Sequence, residues 1–460
     1  MVESPSSAGT SALRRLLQLA WPIVLARASQ SVIGFCDALM VAHLGEAQLA
    51  AVTTGALNAF LVIILPSGAV FILQSFTSQL RGRGELAAVR RYAWYGLTFA
   101  VVAQLLALLA IPLFPLLLDQ LHYDAAVRGY MTTYLAIRLL SVGPAVAIEA
   151  IGNWYGGLGN TRIAMIAGVT AMVANVIGCY LLIEPRFGLP GYGVAGSAWA
   201  ATSASCLGLL VIAVPFALGW GAPPKPARLQ LVAREFWRVL RFGVPNGINW
   251  FLEFAAFILF INVMVAHLGT TALAAFNVVI QLNSVAFMPA FGLGSAGAIL
   301  VGESIGKRDY AAVRGYVRLT LTMAAAWMVS VGVLYFLLPE PLMRIFAQPG
   351  PQLSQFLELG TVMLTFSAFW QLFDAAGITL SESLRAAGDT TWCMLTRIVI
   401  AWFVFIPGAW FLVIRSGGGV DAVMIMMVVY ILLLASAFGL RFLSGKWQNI
   451  DLIGEPPALP

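Results

Sequence analysis

Charge is what this chain has least of. Only 10% of its 460 residues are Asp, Glu, Lys or Arg, where a soluble domain carries roughly a quarter. With 60% apolar residues and a mean hydropathy of +0.89, that scarcity excludes a solvated globule. Cysteine is also sparse. Cys36, Cys179, Cys206 and Cys393 all fall inside apolar runs without framework spacing, so neither a disulfide scaffold nor a thiolate metal site is supported. Three histidines are too few for a histidine metal cluster. No P-loop is present to cradle a nucleotide, so ATP is not indicated, no cofactor is expected and the chain reads as a non-enzyme. The opening MVESPSSAGTSALRRLL lacks the basic end, short apolar core and cleavage site of a signal peptide, and the first helix is expected to stay in the mature chain. The net charge of +6 could suggest nucleic acid, but basic loops on one side of a membrane explain it more simply.

What is present is a series of apolar runs, each about 20–25 residues and therefore long enough to cross a hydrocarbon core of about 30 Å as a helix. They are too continuous for the alternating pattern of a barrel. Twelve such runs make an all-α polytopic membrane protein. Of the 26 Lys and Arg, twenty fall on one set of loops, which places both termini in the cytoplasm.

The chain also repeats itself. MVAHLG stands at 40–45 and 264–269, LAA at 49–51 and 273–275, and AAVR at 87–90 and 311–314, all at one offset of 224 residues. Farther on, GNT at 159–161 answers GDT at 388–390 with the offset grown to 229. Each half therefore holds six spans and enters the membrane in the same direction. This predicts two six-helix bundles related by a pseudo-two-fold along the membrane normal, with a substrate pathway between them. The expected divisions are a cytoplasmic tail over 1–15, an N-lobe over 16–221, a cytoplasmic linker over 222–238, a C-lobe over 239–443 and a second cytoplasmic tail over 444–460.

A charge at the bilayer centre costs about 2.5–3.5 kcal/mol on insertion scales, so acids kept at that depth point to function. Glu253 sits in the middle of an apolar span, sharing a helical face with Asn246, Asn249 and Phe257. Asp374 shares one with Ser367, Gln371 and Ile378, while Asn277, Gln281 and Ser284 mark a third span of the same half. These three helices can enclose one polar pocket with two carboxylates, which cannot both ionise cheaply at low dielectric. A proton or sodium ion at Glu253 and Asp374 follows. The alternative is a structural pair neutralised by Arg385 or Lys307, but Arg385 lies about 16 Å along the helix from Asp374. In the first half, Arg27, Gln30 and Asp37 share a face, and Asn175 offers a neutral oxygen of the kind hard cations accept. Arg27 and Asp37 are about 15 Å apart along their helix, too far for a simple ion pair. Glu149 and Asn153, one turn apart, read as solvated or loop-pinning groups. Gln30, Asn249, Phe257, Asn277, Gln281 and Gln371 are the candidates for lining a substrate cavity.

The LAWP entry to the first span, Asp37 followed by HLG and LAAV, the Phe-Leu-Glu253 of the seventh, and QLFDAAGITLSESLRAAGDT around Asp374 together resemble the multidrug and toxic compound extrusion (MATE) family, most of all its NorM-type bacterial branch. The resemblance covers about residues 14 to 443. It implies an inner-membrane antiporter that exports cationic, amphipathic compounds in exchange for sodium ions or protons by alternating access, acting as a monomer. Carried over, Asp37 and Asn175 match an N-lobe cation site, and Glu253 and Asp374 a C-lobe one. One departure stands out: Cys179 occupies a position where members often have a second Asn or Asp, and a thiol is a poor sodium ligand. Two other readings remain. A flippase for a lipid-linked sugar needs a basic cavity, and only Arg27 lies deep in a span; a channel or purely structural protein predicts no coupling to a gradient.

Overall fold

The computed structural model describes residues 5–120, 124–186, 188, 190–224, 230–347 and 350–454, with the backbone alone over 5–10. Lys225 and Arg228 of the expected linker, and 455–460 of the expected tail, lie outside the described residues. Among these residues are twelve helices long and apolar enough to cross a membrane. They are α1 (Ser11–Leu44), α2 (Glu46–Arg83), α3 (Leu86–Ala110), α4 (Ala125–Gly157), α5 (Thr161–Leu182), α6 (Gly193–Leu218), α7 (Ala233–Val265), α8 (Thr270–Gly306), α9 (Tyr310–Leu337), α10 (Leu353–Ala387), α11 (Thr390–Arg415) and α12 (Val420–Leu443). Helices outrun the apolar stretches that announce them: α7 begins at Ala233, ahead of the 239 expected for the C-lobe. Backbone hydrogen bonding continues past the hydrocarbon edge, where hydropathy no longer marks the helix.

The repeated motifs turn out to be turns. Gly45 and Gly269, which close the two copies of MVAHLG, have φ of 128° and 103° with ψ of 168° at both. That backbone region is essentially reserved for glycine, so the motif recurs wherever the first helix of a half must reverse into the second. Gly159 and Gly388 of GNT and GDT are likewise left-handed, at φ 80° and 90°.

The chain forms two compact units, one of residues 25–247 and one of residues 1–24 with 248–460. The division falls inside α1 and α7, just after Pro22 and Pro245, rather than in the loop between α6 and α7. The entry segment of each half thus packs in the unit formed by the rest of the other half. In the first unit, Asn246 donates to the Gly68 carbonyl at 2.6 Å, and Gly247 lies so close to α2 that a Cβ there would meet the Leu65 carbonyl at 2.3 Å. In the second, Gly292 packs against Val24 in the same way, and Arg15 donates to Glu303 at 2.5 Å.

Close approach of small residues is how helices associate where lipid competes for apolar surface. Gly297 against Thr320 and Gly294 against Ile378 hold α8 to α9 and α10. This explains two strings that invite a chemical reading. GLGSAG at 292–297 and GESIG at 302–306 match dinucleotide-binding and nucleophile patterns letter for letter, yet both lie inside the continuous helix α8. The glycines of the first serve packing, and the Ser304 hydroxyl of the second donates to its own helix at Leu300. Along the outer faces, Leu109, Phe403 and Leu440 are each about 70% exposed, as lipid-facing side chains are.

Candidate functional site

In the unit of residues 25–247, Asp37 on α1 meets α5. The Cys179 thiol donates to Asp37 Oδ1 at 3.1 Å, and Asn175 Oδ1 lies 3.9 Å from the same sulfur. Asp37, Asn175 and Cys179 are all buried. Asn175 Nδ2 and the neighbouring Ser197 hydroxyl have no hydrogen-bond partner among the described residues. Arg138 lies within electrostatic reach of Asp37 but makes no ion pair with it; its guanidinium donates to Ser141 at 2.5 Å. It stands inside α4, where the helix tightens over Leu139–Ser141.

One face away, Arg27 forms a two-pronged pair with Glu149, at 2.8 and 3.0 Å. Asn153 Nδ2 donates to Glu149 Oε2 at 3.1 Å, Gln30 Nε2 to Oε1 at 3.4 Å, and Phe71 places its ring 5.6 Å from the guanidinium. Glu149 and Asn153 are therefore neither solvated nor loop-pinning. They are the acceptor half of an interior ion pair that sequence spacing does not reveal, because its partners are 122 residues apart.

In the other unit, Glu253 on α7 is paired with Arg397 on α11. Arg385, considered as its partner from sequence, belongs to Glu382, and Lys307 to Glu303 at 2.7 Å. Arg397 reads in sequence as part of the α10–α11 turn, but α11 begins at Thr390 and places it two turns inside the span. The Phe438 ring of α12 lies 5.6 Å from its guanidinium, and Tyr430 of the same helix is within its electrostatic reach. Asp374 on α10 is within reach of the charges of both Glu253 and Arg397, yet makes no hydrogen bond or ion pair with any described residue. Helices α7 and α11 are also wound unusually. Phe260–Val265, Val399–Phe405 and Trp410–Arg415 are π-helical, a widened turn often found near functional sites. Phe260, Phe405 and Tyr430 follow one another as tilted rings at successive centroid distances of 4.7 Å, leading from the widened turns toward Arg397.

The MatE family profile matches residues 22–181 and 245–411, which include Asp37, Glu253, Asp374 and Arg397. The chain belongs to the MATE family. Among curated relatives, a probable multidrug resistance protein NorM of Chromobacterium violaceum is 30% identical over 402 residues, spanning 85% of this chain and 83% of that protein. A second protein of that description, from Rhizobium meliloti, is 27% identical over 97% of this chain and 95% of its own. A solved outward-facing structure of a multidrug resistance MATE transporter superposes with a TM-score of 0.86 at 16% identity, covering 95% of this chain and 97% of that one. The eukaryotic MATE transporter AtDTX14 gives 0.83 at 16% identity over the same shares.

The other expected site residues of this MATE chain are distributed unevenly. Asn249 is buried, with its Oδ1 unpartnered. Asn277 and Gln281 are exposed on α8, and Phe257 packs at the edge of the aromatic core. Gln371 faces inward instead: it is buried, donates to Asn283 at 2.7 Å and fills the notch at Gly332. It ties α10 to α8 and α9. A sodium cage at Glu253 and Asp374 does not fit this arrangement, because the Arg397 guanidinium occupies the carboxylate such an ion would need. At Asp37 the oxygens of Asn175 and the carboxylate are near one another, but Cys179 contributes a donor hydrogen where a cation needs a lone pair. No group of three or more His, Cys, Asp or Glu suited to a metal occurs among the described residues.

Proposed function

We propose that this MATE chain is a secondary active multidrug exporter that moves cationic, amphipathic compounds out of the cell in exchange for protons or sodium ions. It works by alternating access, as a monomer in the bacterial inner membrane with both termini cytoplasmic. The observation that carries this reading is the pair of aspartates, Asp37 and Asp374, one in each compact unit, neither held by an ion pair. Every other buried or half-buried carboxylate described inside a span has a basic partner: Glu149 has Arg27, Glu235 has Arg91, Glu253 has Arg397, Glu303 has Arg15 and Lys307, and Glu382 has Arg385, while Glu46, Glu358 and Asp421 are exposed. A desolvated negative charge without a fixed partner is costly, and a mobile cation is what neutralises it. The curated relatives are named as probable multidrug resistance proteins, which supports drugs as the exported compounds.

The driving force suffices. One charge crossing about 100 mV releases about 2.3 kcal/mol, enough for roughly a fortyfold gradient at 1.4 kcal/mol per decade. A lipid-linked sugar flippase is less well supported, because Arg27, the deep basic group it would use for a pyrophosphate, is already matched by Glu149. Ethidium efflux from membrane vesicles, under separately imposed sodium and proton gradients, tests the proposal. Efflux under at least one gradient is expected; none under either removes the antiporter reading.

A further inference from the structure

We propose that Arg397 is a tethered cation: it occupies Glu253 until a substrate cation arrives there, then transfers its guanidinium to Asp374. The inference rests on the reading of the chain as a cation exporter and deepens it by naming an internal competitor.

Three observations point to an exchange rather than a fixed strut. The pair is unequally exposed, Glu253 at 41% of its side chain and Arg397 at 13%, so the carboxylate is the accessible member and the guanidinium reaches it from the interior. Arg397 is not saturated either, since its Nε is buried without a hydrogen-bond partner. An arginine fixed for structure alone is normally hydrogen-bonded through its buried donors. Finally, Asp374 stands within electrostatic reach of this guanidinium as an acceptor with no partner of its own. One fixed cation shared between two carboxylates leaves the cluster one negative charge in excess. A monovalent cation that takes Glu253 while Arg397 takes Asp374 brings the sum to zero, and no buried charge is stranded, which would otherwise cost about 3–5 kcal/mol. The widened turns of Phe260–Val265 and Val399–Phe405 lie on the same two helices, the second starting two residues after Arg397.

Occupation of Glu253 by Arg397 lowers apparent affinity by the fraction of time the carboxylate is free. The test is equilibrium binding of tetraphenylphosphonium to the full-length protein in lipid nanodiscs, beside ethidium efflux in proteoliposomes. Arg397→Gln removes the competitor, so binding is expected to tighten by about fivefold or more while efflux slows by about tenfold, because release has lost its displacing group. Asp374→Asn is expected to weaken binding, and Arg397→Gln in that background to restore it, a rescue that a purely structural arginine does not produce. Should Arg397→Gln not remain monodisperse, Arg397→Lys carries the test. An ammonium lacks the guanidinium fork, the lock loosens, and binding again tightens. Binding equal to or weaker than wild type in the folded variant overturns the proposal. Wild-type protein that neither binds tetraphenylphosphonium nor exports ethidium overturns the transport reading itself, and this one with it.

Discussion

The two halves of the chain build their polar centres from the same pair of helices and put different chemistry there. In the first half, α1 and α5 meet at Asp37, Asn175 and Cys179. At the repeat offsets, the equivalent positions in α7 and α11 are Ile261, Val404 and Gly408, where the helices widen and a run of tilted aromatic rings takes over. The second half has moved its charged contact eight positions back along α7, to Glu253. Its equivalent in α1 is Ser29, whose hydroxyl merely donates to its own helix at Leu25. Arg397 answers to Gly168, which packs against Ala26 and carries no side chain to pair with an acid. Duplication therefore preserved the turns, which the backbone demands, and released the site positions. Each half thus holds an aspartate without an ion pair together with an arginine–glutamate pair, Arg27–Glu149 in the first and Arg397–Glu253 in the second, reached by different substitutions.

That comparison can be broken at several points. The largest effect is expected at the unpaired acids. Asp37→Asn and Asp374→Asn should each reduce gradient-driven ethidium efflux by at least about tenfold, the worth of one charge-assisted hydrogen bond, with folding intact by size-exclusion profile. Retained efflux in either variant would show that its half has no part in coupling. Next come the pairs. Arg27 and Glu149 are 19% and 14% exposed and cross-braced by Gln30 and Asn153, so Glu149→Gln should destabilise the protein by about 3 kcal/mol in denaturant unfolding. Arg27→Met with Glu149→Leu should recover most of that loss. Glu253→Gln should cost less, about 1 kcal/mol, because its carboxylate is 41% exposed. Equal losses at the two pairs would erase the distinction between a brace and an exchanging contact.

Smaller still is the effect at the turns. Gly45→Ala and Gly269→Ala should each lower stability by about 1–3 kcal/mol through backbone strain and leave the substrate affinity of the folded fraction unchanged, measured by tetraphenylphosphonium binding. The smallest is expected at the thiol: Cys179→Ala removes a weak donor to Asp37 and should change proton-driven efflux by less than about threefold.

How much of this was legible in the chain follows from what sequence records. The span count, the six-and-six repeat and the acids at lipid depth are one-dimensional features: apolar length, a constant offset, and an Asp or Glu amid Leu and Phe. The repeated turns could even have been assigned their backbone geometry, since a glycine that recurs after His-Leu implies a conformation other residues avoid. Pairing was not legible. Arg397 looks like a loop residue when helix ends are judged by hydropathy, and nothing local links it to Glu253, 144 positions earlier. Glu149 looks solvated until α1 brings Arg27 against it. Gln371 shares a helical face with Asp374, but one turn is enough to direct one side chain toward Asn283 and leave the other unpartnered. A helical stripe spans about a third of a helix circumference, too wide to separate lining from packing.

The central claim is that the unpaired aspartates inside the spans are neutralised by mobile cations that substrate displaces. It is tested most directly by adding tetraphenylphosphonium to the purified, weakly buffered protein and recording proton release with a pH-sensitive dye, or sodium release with radioactive sodium. The account predicts cation release on binding in wild type and in Glu149→Gln, and its loss in the double variant Asp37→Asn, Asp374→Asn. Saturable binding with no release of either ion in wild type would contradict it.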